Sequence, residues 1–338
     1  MARSRLSTAV HEGLALPEGE ILVLRPPAAM DLSALPRERV LVRHTFRPDR
    51  DAWAGAGYRL AEEPEPVAVA LVCVPRSKAL ARGLVAEAAR AATLVLVDGQ
   101  RTDGVDSLWR EVRARRDVEG LTQGHGRLFW FGGGAGFEDW ALPGPAQGPD
   151  GLWSQPGVFS AEGADRGSLL LAEALPSKLP ARMADLGAGI GVLALAALAR
   201  EGVGSIDLIE AERLALDCAR LNVTDPRAAF HWADATRAPF GPYDGIVMNP
   251  PFHAGRAADA GLGRAFLGAA AKALAPQGQL WLVANRHLPY EAALGELFRQ
   301  VAEIGGDGAF KLIHAAQPIR AARPAARTAT RTRRGHSG

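Results

Sequence analysis

Cysteine is scarce in this chain. Only Cys73 and Cys218 occur among 338 residues, and neither has the spacing of a metal ligand. The first lies in an apolar, strand-like run and the second in a helix-like run, so both are expected to be small core residues in a reducing compartment. The sequence therefore predicts no metal site.

Long apolar runs are absent as well. No stretch approaches the roughly 20 residues that span a bilayer, and the N-terminus lacks the apolar segment and cleavage pattern of a signal peptide. With 48% hydrophobic and 22% charged residues, the composition is that of a globular protein long enough for two domains. We therefore expect a cytoplasmic protein without membrane contact.

Acidic residues are missing from the C-terminal end. The formal net charge is +2, yet the last residues carry arginine without any acid, so the rest of the chain is mildly acidic. The arginines are Arg320, Arg323, Arg327, Arg331, Arg333 and Arg334. The composition of this end predicts that residues 320–338 are a disordered basic tail. Such a tail can gather RNA phosphates, or it can serve only as a solubilising end.

The first half of the chain, residues 1–150, has no glycine-rich phosphate loop. Val67–Val74 and Thr93–Val97 have the pattern of buried strands, and an amphipathic helix is predicted between them at Ser77–Ala92. This order and spacing indicate parallel βαβ units. A segment rich in glycine and proline, Gly134–Trp153, is the predicted linker. The first half therefore has the pattern of a nucleotide-binding fold without its chemistry.

The second half has a regular alternation of strands and helices. Its predicted strands are 182–186, 206–210, 229–232, 244–248, 279–284, 301–304 and 310–315. Crossover helices between most of them predict a doubly wound sheet. The short glycine-rich connection at Gly305–Gly308 predicts an antiparallel hairpin for the final pair.

A glycine loop at Asp185–Gly191 joins the first of these strands to its helix. Gly187, Gly189 and Gly191 let the backbone approach a ligand, and the helix N-terminus offers free N–H groups. The spacing is one residue tighter than the dinucleotide fingerprint, which argues against a nicotinamide enzyme. Asp185, before the loop, suits a cationic or amino-bearing ligand better than a pyrophosphate.

Two further acids lie at the ends of the following strands. Glu210 ends the second strand, where a carboxylate can accept hydrogen bonds from both hydroxyls of a ribose. Asp234 follows the third strand, where it can accept from an adenine amino group. Either residue alone can be a solvated strand-end acid. Three acids at three consecutive strand ends around one glycine loop favour a nucleoside-containing ligand.

The segment Asn249–His253, Asn-Pro-Pro-Phe-His, follows the fourth strand. The prolines cannot continue strand pairing, so the chain must stop rigidly at the carboxyl end of a strand, where ligands bind in open α/β sheets. Taken alone, the segment is equally compatible with a ligand site and with a strand-ending loop that carries a core phenylalanine. Beside the glycine loop and the acids, it indicates a site.

These motifs together resemble the class I S-adenosylmethionine-dependent methyltransferases that modify exocyclic or amide nitrogens. A narrower resemblance is to the bacterial ribosomal RNA guanine-N2 methyltransferases, in particular the small-subunit (RsmC-type) enzymes. It covers roughly residues 156–315 and rests on Asn249–His253 together with Gly157–Ser160, Asp165-x-Gly167-Ser168, Ala284–Tyr290 and Phe310-Lys311. The first half is less similar, since Val97–Val105 lacks the usual Gly-Glu-Asn opening.

The resemblance implies a fold, a cofactor and a partner. The fold is a class I methyltransferase domain at residues 151–319, preceded by a degenerate duplicate that has lost cofactor binding and has an RNA-positioning or folding role. S-adenosylmethionine is the implied cofactor, and the partner is 16S ribosomal RNA or the assembling small ribosomal subunit, with a monomer favoured. The implied cofactor-binding residues are Asp185, Gly187, Gly189, Gly191, Glu210, Asp234 and Asn249.

The resemblance also implies a methyl-transfer mechanism. The Asn249 side-chain oxygen and the Pro250 carbonyl accept the hydrogens of the guanine amine, and Phe252 stacks on the base. His253 and His287, and likewise Arg286 and Lys311, can each contact RNA or be polar loop residues. His253 is not expected to be a base.

Several alternatives remain open. A large-subunit (23S) guanine-N2 methyltransferase has overlapping motifs. Glutamine-N5 protein methyltransferases and adenine-N6 DNA methyltransferases also use Asn-Pro-Pro-aromatic, although the duplicated first half disfavours both. From another class, the chain could be a non-catalytic ribosome-assembly factor with a vestigial cofactor site.

Overall fold

The computed structural model describes residues 4–63, 65–159, 163–237, 239–251, 253–254, 257–258 and 260–320. The proposed tail beyond Arg320 and the side chain of Phe252 lie outside these residues. The α-helices within the described ranges are α1 (Arg5–His11), α2 (Arg47–Gly55), α3 (Lys78–Ala91), α4 (Val105–Arg113), α5 (Arg166–Ala174), α6 (Val192–Leu198), α7 (Arg213–Asn222), α8 (Ala260–Ala273) and α9 (Tyr290–Leu297). None of them is long and apolar enough to span a membrane.

The first half forms a seven-stranded sheet of order β3-β2-β1-β4-β5-β7-β6. Its strands are β1 (Ile21–Leu24), β2 (Val40–Arg43), β3 (Arg59–Leu60), β4 (Val67–Cys73), β5 (Ala92–Gln100), β6 (Glu119–Gln123) and β7 (Gly126–Gly132). The strands from β1 to β5 pair in parallel, whereas β7 is antiparallel to both β5 and β6. The predicted βαβ units are therefore present.

Two short strands, β8 (Ala146–Gln147) and β9 (Trp153–Ser154), pair between the two halves. The second half contains β10 (Arg182–Leu186), β11 (Ser205–Glu210), β12 (Ala228–Trp232), β13 (Tyr243–Met248), β14 (His253–Ala254), β15 (Ala257–Ala258), β16 (Leu274–Asn285), β17 (Phe298–Gly306) and β18 (Phe310–Pro318). Strands β14 and β15 form a separate two-stranded ribbon. The other seven form one sheet.

The second sheet repeats the topology of the first. Its order is β12-β11-β10-β13-β16-β18-β17, with parallel pairing as far as β16 and antiparallel pairing of β18 with both β16 and β17. The predicted doubly wound sheet and its closing antiparallel hairpin are confirmed. Both halves thus place the carboxyl ends of several parallel strands at one edge.

Helices cover both faces of the second sheet. On one face, Met183 and Val247 pack with apolar residues of α5, α6 and α7. On the other, Ala184 and Ile246 pack with residues of α8 and α9. Because both faces are buried, the central strands are almost continuously apolar, which explains the sequence pattern from which they were predicted. An acid in such a strand, like Asp185, is costly to bury and calls for a specific role.

Several elements escape the sequence pattern. The polar edge strand β6 is largely exposed, so it lacks the apolar run that identifies a buried strand. Helix α2 buries only Trp53 and has a proline in its first turn. The predicted linker Gly134–Trp153 contains a short 3-10 helix at Glu138–Trp140 and strand β8, with β9 beginning at its end.

Candidate active site

Several of the predicted site residues meet at the carboxyl edge of the second sheet. Strand register places Asp185 opposite Val247 on β13, so Asn249, after that strand, lies at the same edge. A cleft there is lined by Asp185, Gly187, Gly189 and Asn249, together with other residues that include Phe159, Asp165, Ser168, Ile190 and Leu193. The structure therefore brings the glycine loop and the Asn-Pro-Pro segment together, as predicted.

The glycine loop depends on backbone angles that favour glycine. Gly187, Gly189 and Gly191 have φ values of 74°, 55° and 94°. A Cβ atom on Gly191 would lie 2.8 Å from Cγ2 of Val223, so this glycine is also needed for packing. A Cβ on Gly189 would meet no neighbour within 4 Å. Gly189 therefore borders open space, as expected for a loop whose backbone approaches a ligand.

Asp185 is buried with one oxygen left free. Its Oδ2 accepts a hydrogen bond from the backbone N–H of Ala194 at 3.0 Å, at the start of α6. Its Oδ1 is buried and has no hydrogen-bond partner among the described residues. Burial, reinforced by the nearby Glu210, raises the pKa of Asp185 to about 8. When Asp185 is ionised, this unpaired buried oxygen fits a ligand that carries a hydrogen-bond donor.

Glu210 ties the glycine loop to the loop that follows β11. Its Oε2 accepts from the N–H of Gly189 at 2.8 Å, and its Oε1 accepts from the N–H of Glu212 at 2.7 Å. Burial raises the pKa of Glu210, and these two bonds oppose that effect. Each carboxylate oxygen keeps a further lone pair, so Glu210 has enough acceptor positions left for the two predicted bonds from ribose hydroxyls.

Asp234 is not among the residues that line the cleft. Its Oδ1 accepts from the backbone N–H and the hydroxyl of Thr236, at 2.9 Å and 2.6 Å. These bonds close a tight turn after β12, which is the ordinary structural role of an aspartate at such a position. Its predicted contact with an adenine amino group stays a prediction.

Asn249 is held by two residues of the α5 N-terminus. Its Nδ2 donates to Oδ2 of Asp165 at 2.8 Å and to Oγ of Ser168 at 2.9 Å. Because an ionised carboxylate accepts and cannot donate, these bonds define which end of the amide is nitrogen. The Asn249 Oδ1 is buried without a partner in the described part of the chain. Pro250, next to it, is buried too.

Asp165 and Ser168 were not predicted as site residues. Asp165 is the N-cap of α5, and its Oδ2 also accepts from the N–H of Ser168 at 3.0 Å. Between them, a Cβ on Gly167 would lie 3.0 Å from both that oxygen and the ring of Phe310. The motif Asp165-x-Gly167-Ser168 is part of the family resemblance found in the sequence. Nothing in the sequence indicates, however, that the motif contacts Asn249.

Two cations near the site have structural partners. Arg286 donates to the backbone oxygens of Asp307 and Phe310, at 2.7 Å and 3.1 Å. Lys311 is buried, donates to the backbone oxygen of Leu288 at 2.6 Å, and forms an ion pair with Glu291. These contacts fasten the loop after β16 to the β17–β18 hairpin. His287 is exposed, and the side chain of His253 lies outside the described residues.

The donor set of the cleft fits an organic ligand. Within the described ranges, no group of three or more histidine, cysteine, aspartate or glutamate residues could hold a metal ion. What the cleft offers is a glycine backbone and two buried acceptor oxygens, on Asp185 and Asn249. This combination fits a ligand with amino or hydroxyl donors.

A comparison with known protein families finds a match to this half of the chain. Residues 151–314 match the family model described as Methyltransferase small domain. The cleft lies within these residues, and the match agrees with the methyltransferase resemblance predicted from the sequence.

Curated relatives match the same region. The Ribosomal RNA small subunit methyltransferase C of Shewanella sp. (strain MR-4) is 35% identical over 158 residues, which cover 46% of each chain. The Ribosomal RNA large subunit methyltransferase G of Alcanivorax borkumensis is 34% identical over 160 residues, or 46% of this chain and 41% of the relative. The matched region thus spans about half the length of these relatives or less.

A solved structure resembles the chain over most of its length. The 16S rRNA N2 methyltransferase RsmC of T. thermophilus, in complex with AdoMet and guanosine, has a TM-score of 0.77. It is 23% identical, and the match covers 93% of this chain and 92% of that one. The likeness confirms the class I methyltransferase fold, and it extends through the half that precedes the methyltransferase small domain.

The first sheet lacks the chemistry of this site. Leu24 pairs with Val72, two residues before Val74, just as Asp185 pairs with Val247, two residues before Asn249. By position, Leu24 and Val74 therefore stand where the second sheet has its acid and its amide. Where the second sheet has the glycine loop, the first continues as Arg-Pro-Pro. Neither a carboxylate nor a glycine stands at these positions of the first half.

Proposed function

We propose that this chain transfers a methyl group from S-adenosylmethionine to the exocyclic N2 of a specific guanine in 16S ribosomal RNA. The observation that carries the proposal is the fixed amide of Asn249, whose nitrogen is occupied by Asp165 and Ser168 and whose oxygen has no partner. Such an oxygen at the cleft can accept a hydrogen from a substrate amine.

The guanine amine is a poor nucleophile because its lone pair is delocalised into the ring. If Asn249 Oδ1 and the Pro250 carbonyl each accept one of its hydrogens, the nitrogen can pyramidalise and regain a directed lone pair. Holding the amine in this geometry supplies most of the rate. No strong general base is needed beforehand, since the amine becomes acidic once it is methylated.

The cofactor is held by the cleft around the glycine loop. Asp185, Gly187 and Gly189 line this cleft. Asp185 would accept from a donor of the ligand through its unpaired oxygen, Gly187, Gly189 and Gly191 would admit the ligand to the backbone, and Glu210 would accept from the ribose. Asn249 borders the same space, and Asp234 accepts from the adenine amine. S-adenosylmethionine supplies an electrophilic methyl group on a sulfonium centre.

Aromatic side chains are proposed to hold the target base. Phe252 follows the prolines directly and stacks on the guanine, an interaction worth about 1–3 kcal/mol per base. Phe159 is a second candidate, because it lines the cleft and is 64% exposed.

We further propose a division of labour along the chain. Residues 151–319 are the catalytic domain, residues 1–150 position the RNA or support folding, and the basic tail from 320 to 338 gathers phosphates in the cytoplasm. The likeness to small-subunit methyltransferases supports 16S RNA, either free or in the assembling subunit, as the partner.

A second candidate substrate is 23S ribosomal RNA, favoured by the match to a large-subunit methyltransferase. Mapping N2-methylguanines in both RNAs of a deletion strain separates the two candidates. Loss of one modification in 16S RNA, restored by the parent gene, supports the proposal. Loss confined to 23S RNA selects the alternative.

A further inference from the structure

The loop between β11 and α7 is bound to the first half of the chain at several points. Phe46 and Glu212 form an antiparallel β-bridge. The N–H of Arg47 donates to the oxygen of Ala211 at 2.8 Å, and the N–H of Arg213 donates to the oxygen of Thr45 at 2.9 Å. Residues 45–47 of the first half thus form one isolated antiparallel bridge with this loop.

Arg25 adds a charged contact to the same loop. This residue follows β1 at the edge where the first sheet lacks its cofactor chemistry, and its φ of 54° is unusual for an arginine. Its Nη2 donates to Oε2 of Glu212 at 2.9 Å, with side chains only 16% and 14% exposed. Its Nη1 donates to the hydroxyl of Thr45. The guanidinium therefore contacts both residues 45–47 and the loop, at Thr45 and Glu212.

Glu212 connects Arg25 with the residues around the cofactor cleft. Its N–H donates to Oε1 of Glu210, whose other oxygen accepts from the N–H of Gly189. The second carboxylate oxygen of Glu212 accepts from the N–H of Leu214 and begins α7. A continuous chain of hydrogen bonds hence runs from Arg25 through Glu212 and Glu210 to the glycine loop.

We propose that Arg25 is a positioning residue of the cofactor site, which acts from the first half of the chain through Glu212 on Glu210 and Gly189. The inference rests on the proposed function for the identity of the cofactor. Arg25 touches no ligand in this account. It keeps the carboxylate of Glu210 and the backbone of Gly189 in the arrangement that binds a nucleoside.

The test measures binding of S-adenosylhomocysteine by calorimetry in Arg25→Gln, together with amide exchange at Gly189 and Glu212. We expect about tenfold weaker binding and faster exchange at both amides, while Arg25→Lys retains much of the parent affinity. The matched control is Arg43→Gln. Its ion pair with Glu87 is similarly buried, at 23% and 17% exposed, but lies wholly within the first half.

The outcomes separate this inference from the proposed function. One outcome overturns the inference alone. If Arg25→Gln binds S-adenosylhomocysteine as the parent does, and Arg25→Gln and Arg43→Gln lower the melting temperature equally, the ion pair of Arg25 is merely structural. A parent protein that binds neither S-adenosylhomocysteine nor S-adenosylmethionine would instead contradict the proposed function. If Arg25→Gln does not fold, Glu212→Gln takes its place with the same two readings, since its amide oxygen can still cap α7.

Discussion

The side-chain nitrogen of Asn249 lies 2.8 Å from Oδ2 of Asp165, the residue that caps α5. One carboxylate oxygen thus begins a helix and orients an amide that is 84 positions away in the chain. With the nitrogen so engaged, the amide can present only its oxygen to the cleft. The orientation of the proposed amine acceptor is therefore set by a residue outside the Asn-Pro-Pro motif.

Removing that carboxylate should impair catalysis more than binding. In Asp165→Ala the Asn249 amide loses its strongest partner and can rotate, so we expect kcat to fall by about 100-fold. The affinity for S-adenosylmethionine should change far less, because Asp185 and Glu210 are intact. Steady-state kinetics and calorimetry measure the two effects separately.

The control for Asp165→Ala is a helix cap elsewhere. Ser77 caps α3 in the first half by accepting from the N–H of Leu80. Ser77→Ala should cost about 1 kcal/mol of stability without changing kcat. Equal kcat values for Asp165→Ala and Ser77→Ala would contradict the orienting role.

The buried Asp185 should make the stability of the ligand-free protein depend on pH. Its native pKa of about 8 exceeds the ordinary value of 3.8. Between pH 3.8 and about 8, the native state therefore holds a proton that the unfolded chain has released. Stability from this group is greatest below pH 3.8 and is lost progressively as the pH rises to about 8. Asp185→Asn should remove this pH dependence from the free energy of unfolding, which urea unfolding at a series of pH values measures. Parallel curves for parent and variant would refute it.

Asp185 and Glu210 should both matter for cofactor affinity. Asp185→Ala removes the free acceptor of the cleft. Glu210→Ala leaves the N–H groups of Gly189 and Glu212 without their acceptor, at a cost of about 1–3 kcal/mol for each one that stays buried. We expect weaker binding of S-adenosylmethionine in both variants. Calorimetric affinities equal to that of the parent would refute the assignment of the cleft.

The glycine loop offers a matched pair of substitutions. Gly189→Ala places a methyl group in open space, so it should cost only the roughly 1–2 kcal/mol of a left-handed backbone, while weakening cofactor binding. Gly191→Ala also drives a Cβ to 2.8 Å from Val223 and should destabilise the fold further. Thermal unfolding and calorimetry distinguish the two. The interpretation fails if Gly189→Ala binds the cofactor as the parent does.

Sequence reasoning succeeded where the physical signal is local. The buried parallel strands are apolar runs in the sequence. The three closely spaced glycines of the loop indicate a backbone that closely approaches a ligand. Edge strand β6 and helix α2 gave no comparable signal, because one is polar and exposed and the other buries a single tryptophan, Trp53.

Long-range contacts could not be predicted in the same way. No periodicity indicates that Asp165 meets Asn249, or that Arg25 meets Glu212 across the two halves of the chain. Each contact depends on where two separate elements end in space. Asp234 shows the converse, since its place at a strand end was predicted while its bonds are those of a local turn.

The most direct test of the account is methyl transfer by purified parent and Asn249→Ala protein to 16S ribosomal RNA, followed by mass mapping of the modified guanine. The account predicts one N2-methylguanine with the parent, none with Asn249→Ala, and nearly equal S-adenosylmethionine affinity for both proteins. Equal modification by the two proteins, or a methyl group on any atom other than guanine N2, would contradict it.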